Sequence, residues 1–304
     1  MSGALGVVVL VVGTGVVVAA ADVFVDGLLG VARSLKLAPF VLSVLVSGFE
    51  TENLLAGIVA DVRGLPDAAA GTFLGGITFL ALGVAGLGGL IAPVDVRLPP
   101  RFALWTALAP LPLLAVAVDG RISRAEGALL VVWAGVALVG LARSGGHPPP
   151  AEERRWRHPA ARLLGGLAVL SGGGWLLGEG LRATVRQLGI SPALLGNTAL
   201  AATVEAEELA RFTAPTRRGR PEIGLASVAG TLVHFAGLNA GVIALVKPLA
   251  LSSLTTSFYL PAAASGPAIL AALLLARKRL GRVEGAFLAA LYVTYVGVAI
   301  TLST

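Results

Sequence analysis

Apolar residues gather in ten long runs, at about 4–24, 37–60, 68–93, 102–118, 125–142, 161–180, 189–210, 223–246, 254–276 and 284–302. A helix needs about 20 such residues to cross the hydrocarbon core of a bilayer. The polar stretches between the runs are short, so the pattern predicts an all-α polytopic membrane protein of about ten transmembrane helices. The longest polar stretch, GGHPPPAEERRWRH at 145–158, carries a Pro triplet and reads as a linker rather than a domain.

Composition narrows the class. Of the 304 residues, 56% are hydrophobic and only 13% charged, about half the charge of an ordinary soluble domain. A soluble enzyme, a disordered chain and a coiled coil are therefore excluded. With no Cys, disulfides and thiolate chemistry are excluded too, and three scattered His residues are too few for a zinc cluster. The net charge of +6 would suggest nucleic acid in a soluble protein, but a membrane protein keeps its basic residues in cytoplasmic loops and needs no such partner. Loops after the odd-numbered runs hold 17 Lys and Arg, the others 6. The asymmetry predicts both termini on the outer face and the 145–158 linker in the cytoplasm. No basic residue precedes the first run, which reads as a span and not as a cleaved leader.

The chain also repeats itself. GFETENLLAGIVADVRGLPDAAAG, from Gly48, matches TVEAEELARFTAPTRRGRPEIGLA, from Thr203. Glu50 and Glu52 fall on Glu205 and Glu207, Arg63-Gly64 on Arg218-Gly219, and Pro66-Asp67 on Pro221-Glu222, each pair 155 residues apart. A later pair, DGRISRAEGALL and RLGRVEGAFLAA, sets Glu126 against Glu284. Each half then holds five spans. An odd number of crossings makes the second copy enter from the opposite side, so the expected arrangement is two inverted five-helix repeats, 1–144 and 161–304, joined by a cytoplasmic linker at 145–160. Inverted repeats with a site at their interface near the midplane are the secondary-transporter plan.

The matched segments carry the candidate chemistry. Glu50, Glu52, Glu205, Glu207 and Glu208 lie within apolar runs, where each ionisable group costs about 2.5–3.5 kcal/mol on insertion scales. They must face protein or a watery cavity and be partnered by a cation or protons. Glutamates two apart do not share a face of a regular helix; a break at Gly48 lets Glu50, Glu52 and Asn53 converge. Such oxygen donors suit Ca²⁺ better than a soft metal. In a plainer alternative, Glu205–Glu208 lie at a helix end and pair with Arg211, three or four residues on.

These segments resemble the α-repeats of the calcium/cation antiporter superfamily, which includes the sodium/calcium exchangers. GFETEN stands where that family has Gly-Thr-Ser-x-Pro-Glu, and VRGLPDAAAGT and RRGRPEIGLAS stand where it has a basic-Gly step followed by Pro-Asp-x-Ala-x-Gly-Asn. The resemblance covers nearly the whole chain. It implies a ten-helix inverted-repeat fold, cation antiport, no enzymatic activity and no cofactor beyond the transported ions. In the family's ion-binding Glu position, Asn53 stands in the first copy and Glu208 in the second, with Glu52 one residue away from it. Thr72 and Ser227 replace the family's Asn, and Gly75-Gly76-Ile77 and Gly230-Thr231-Leu232 replace its later Gly-Ser-Asn, leaving the coupling ion open between Na⁺ and H⁺.

The reading is an antiporter of a prokaryotic plasma membrane that exchanges a divalent cation, expected to be Ca²⁺. Glu52, Glu207 and Glu208 are the main ligands, with Glu50, Glu205 and Asn53 completing the site or carrying protons. Thr72, Ser227 and His234 are accessory candidates, although a lone buried His is more often structural. The alternatives are a monovalent cation/proton exchanger on the same fold and, from another class, an intramembrane hydrolase using paired carboxylates.

Overall fold

The computed structural model describes residues 3–48, 51–95, 98–145, 157–187 and 206–303. Within them the chain is helical almost throughout: α1 (Gly3–Ser34), α2 (Pro39–Val46), α3 (Thr51–Val62), α4 (Pro66–Ile91), α5 (Pro100–Ala117), α6 (Arg124–Ser144), α7 (Pro159–Gln187), α8 (Ala206–Arg217), α9 (Pro221–Val246), α10 (Thr255–Arg277) and α11 (Arg282–Ser303). Eight of these are long and apolar enough to cross a membrane. The second run is instead divided into the short helices α2 and α3. Most of the seventh, at 189–210, lies outside the described residues, and so does most of the linker.

The chain ends its helices and starts the next by local rules. After α3, Gly64 takes a positive φ of 80°, and the Leu65 N–H donates to the Ala60 carbonyl at 2.9 Å. This is a Schellman turn, and Pro66 then opens α4, where its missing N–H costs nothing. The same turn recurs 155 residues on: Gly219 has φ 74°, and the Arg220 N–H donates to the Pro215 carbonyl at 2.9 Å before Pro221 opens α9. Inside α4 and α9, single π-helical segments at Phe79–Val84 and His234–Asn239 also stand 155 apart. Ser123 and Glu126 form a capping box at the start of α6, while Glu284 accepts from the Gly281 N–H at the start of α11.

Among the described residues, four two-residue strands tie the first part of the chain to the last. β1 (Val94–Asp95) pairs antiparallel with β4 (Arg279–Leu280), and β2 (Arg121–Ile122) pairs with β3 (Leu249–Ala250). Each pair joins one half to the other with the roles exchanged. Helix packing follows suit: Gly86 of α4 lies against Gly285 of α11, and Gly241 of α9 against Gly127 of α6. Small residues let backbones approach closely in lipid, and the same device joins α1 to α7, where Gly27 meets the Leu163 backbone and Gly166 meets that of Phe24.

Burial sorts the helices into a centre and a rim. In α4 and α9, 78% and 83% of the most apolar window is buried, against 28% and 17% in α6 and α11. The first two therefore form the middle of the bundle. α6 and α11 present Leu129, Val132, Val283 and Val293 outward, which a lipid solvent favours and water does not. Phe40, Phe73, Phe102, Phe212 and Phe235 fill the interior. The Trp133 indole reaches the Ala109 carbonyl beside the proline that divides α5.

Candidate functional site

The interrupted second run supplies the frame. α2 ends at Val46 and α3 is described from Thr51, and the turn at Ser47-Gly48 interrupts the run where the spacing of the acids predicts a break. Gly48 packs against the His234 imidazole, where any Cβ would overlap the ring. Gly230 meets Ser47 and Val44 in the same way. The break thus rests directly on the central helix α9. A helix end leaves carbonyls without ladder partners, and the Ser47 carbonyl is put to use here.

Glu207 and Glu208 lie in the first described turn of α8 and Arg211 in the next. All three are at most 1% exposed, so water does not screen their charges. Arg211 Nη2 donates to Glu207 Oε1 at 2.8 Å, and Nη1 makes a still closer bond to Glu208 Oε1. Nη1 also donates to the Ser47 carbonyl at 2.9 Å. The Phe24 ring of α1 covers the guanidinium, its centroid 5.9 Å from Cζ. From α9, Thr231 Oγ1 lies 3.2 Å from Glu208 Oε1 and 3.1 Å from the Ser47 carbonyl; Ser227 Oγ lies 3.4 Å from Glu208 Oε2. Carboxylates, hydroxyls and a freed carbonyl make a hard, oxygen-only donor set.

The other sequence candidates divide. Glu50 and Glu205 lie outside the described residues, and Glu52 is described only by its place on α3. Asn53 is half-buried on α3. Thr72 spends its hydroxyl on its own helix, donating to the Ala69 carbonyl at 2.7 Å. His234 is buried, and its Nδ1–H donates to the Gly230 carbonyl at 2.8 Å, which is the structural use of a lone His. Among the described residues, no three His, Cys, Asp or Glu side chains form a metal-holding group; with Glu50 and Glu205 outside them, Glu207 and Glu208 stand as a pair.

Sequence reasoning passed over Ser47 and Thr231 as site residues. Thr231 was within reach of it, standing one helical turn after Ser227. The Arg211 ion pair forms as in the plainer alternative, but it is buried in the protein and reaches the Ser47 carbonyl. One basic residue counted with the odd-numbered loops is therefore a buried group, and the loop asymmetry becomes 16 against 6. Asp22, Asp26 and Glu284 have basic partners of their own, and buried Asp61 lies 3.9 Å from Lys247 Nζ. Arg218 donates to Asp22 and Asp26 at 2.7 and 2.8 Å, and Glu284 accepts from Arg277 and Arg279.

Fold and site together define a polytopic α-helical membrane protein with a buried, oxygen-lined acidic centre. The family described as sodium/calcium exchanger protein matches the chain twice, over residues 5–142 and 158–301, and the chain belongs to that family. Its members are exchangers, not enzymes, and the ions they move are substrates rather than cofactors. CaxA of Alkalimonas amylolytica, an antiporter by name, is 27% identical over 94% of this chain and 96% of its own. Solved structures of the sodium–calcium exchanger NCX_Mj share the fold. One soaked with 2.5 mM Na⁺ and 0.1 mM Ca²⁺ superposes with a TM-score of 0.80 at 22% identity, covering 98% of this chain and 99% of that one. One soaked with 2.5 mM Na⁺ and 0.1 mM Sr²⁺ gives 0.81 at 22% identity, covering 97% and 99%.

Proposed function

We propose that the chain is a secondary active antiporter exchanging Ca²⁺ for Na⁺ or H⁺ where the interrupted second span meets α8 and α9. The observation that carries this reading is the burial of Glu207 and Glu208 beside the Ser47 carbonyl and two hydroxyls. Glu207 and Glu208 are ligands, with Glu52 from the mirrored segment. Glu50, Glu205 and Asn53 complete the site or carry protons, and Thr72, Ser227 and His234 are accessory. Alternating access offers the same carboxylates first to one ion and then to the other.

The site lies near the bilayer midplane between inverted five-helix repeats, 1–144 and 161–304, with both termini outside a prokaryotic plasma membrane. Turns and π segments recurring at 155 residues, the exchanged strand pairs and the two family matches support the division. The names of CaxA and NCX_Mj support cation antiport and, for the second, the ions. One observation favours a monovalent cation/proton exchanger instead: Arg211 cancels one of the two charges that a divalent ion needs.

Calcium uptake into proteoliposomes under an imposed Na⁺ gradient, and separately a pH gradient, tests the reading. Uptake driven by one gradient is expected, and E208Q and E52Q should each lower it at least tenfold, about 1.4 kcal/mol or more of lost binding. Unchanged divalent transport in both variants overturns the site. Monovalent flux indifferent to Ca²⁺ installs the second reading.

A further inference from the structure

Arg211 is the group that the antiport reading leaves without a task. A guanidinium and a transported cation want the same carboxylate lone pairs. Arg211 already holds Glu207 Oε1, Glu208 Oε1 and the Ser47 carbonyl. It comes from the same helix, three and four residues on from the two acids, so its presence there is set by the helix and not by any bulk concentration. The guanidinium stays charged at any physiological pH and can leave the pair only by moving. When it moves, it frees three oxygens together, from α8 and from the break in the second span. The device belongs to one half alone, because Ala56 stands 155 residues before Arg211.

We propose that Arg211 is a tethered competitor of the transported cation. Its guanidinium occupies Glu207, Glu208 and the Ser47 carbonyl until an incoming ion takes these three oxygens from it. The proposal rests on the antiport reading of the same site. It adds a selectivity rule: the displaced guanidinium stays tethered three and four residues from the two acids, and its single positive charge repels a divalent ion more than a monovalent one, so Arg211 weakens binding of the divalent ion more.

The test uses the full-length protein in detergent, titrated with Ca²⁺ and with Na⁺ and read by thermal stabilisation and by radioactive-calcium binding. R211M keeps an apolar stem and removes the charge; R211K keeps the charge and loses the fork. A competitor seated nine-tenths of the time weakens apparent affinity by about tenfold. R211M should therefore bind Ca²⁺ about tenfold more tightly than wild type, with a smaller gain for Na⁺ and R211K in between. A folded R211M whose Ca²⁺ affinity is unchanged or weaker overturns the proposal, even if its melting temperature falls. Should R211M fail to fold, an R211K affinity at or below that of wild type overturns it equally. E208Q separates the two claims. If wild type binds Ca²⁺, E208Q does not and R211M shows no gain, the competitor falls and the antiport site stands. If no cation affects any variant, both fall.

Discussion

Glu207 and Glu208 are adjacent in sequence, so they point about 100° apart around α8, yet both reach one guanidinium because Arg211 lies four residues from the first and three from the second. That pairing was legible; its burial was not, since an i,i+4 pair looks the same on a wet face and in a core. Gly48 and His234 make the same point. A break at Gly48 was predicted from the spacing of acids, whereas the reason only Gly fits is an imidazole 186 residues away in the chain. G48A should destabilise the protein by about 1–3 kcal/mol through overpacking. H234A in the same chain should recover much of that loss, because it vacates the space the new methyl needs. A double-mutant cycle read by thermal unfolding measures the coupling, and strictly additive effects would rule out the contact.

Elements were read well where one local rule sufficed. Gly64 and Gly219 have no heavy atom within 4 Å of where a Cβ would stand, so their cost on substitution is the positive φ alone. G64A and G219A should each cost about 1 kcal/mol, nearly equally and additively; a loss at one position only would argue that the two turns are not equivalent. Elements were read less well where composition hides a break. The run at 37–60 is apolar enough for one span but forms α2 and α3, and the run at 102–118 is divided at Ala109-Pro110 into helices at Pro100–Leu108 and Leu111–Ala117. Proline accounts for the second division. The first needs the polar groups at its centre to find partners on other helices.

Across the whole molecule, the recurrence at 155 residues is the organising fact, visible as residues in the sequence and as turns and π segments in the structure, with strands repeating at 155 and 158 residues. The predicted orientation follows from loop charge, and the absence of native Cys makes it simple to test. An impermeant maleimide should label T304C on intact cells and G146C only after permeabilisation. The reverse pattern would invert the assignment of both termini.

Composition and local pattern were enough to identify lipid as the solvent, a helical chain and the places where most helices stop. These are sums over neighbouring residues: about 20 apolar side chains make a span, and a Gly-x-Pro turn ends one helix and starts another wherever it stands. What Glu207 and Glu208 meet depends on packing between distant parts of the chain. The Ser47 carbonyl is 164 residues from Arg211 and 184 from Thr231, and no local pattern carries those distances. They are set by close packing of α9 against the broken second span, where glycines admit side chains from the other half and an ordinary helical ion pair is buried.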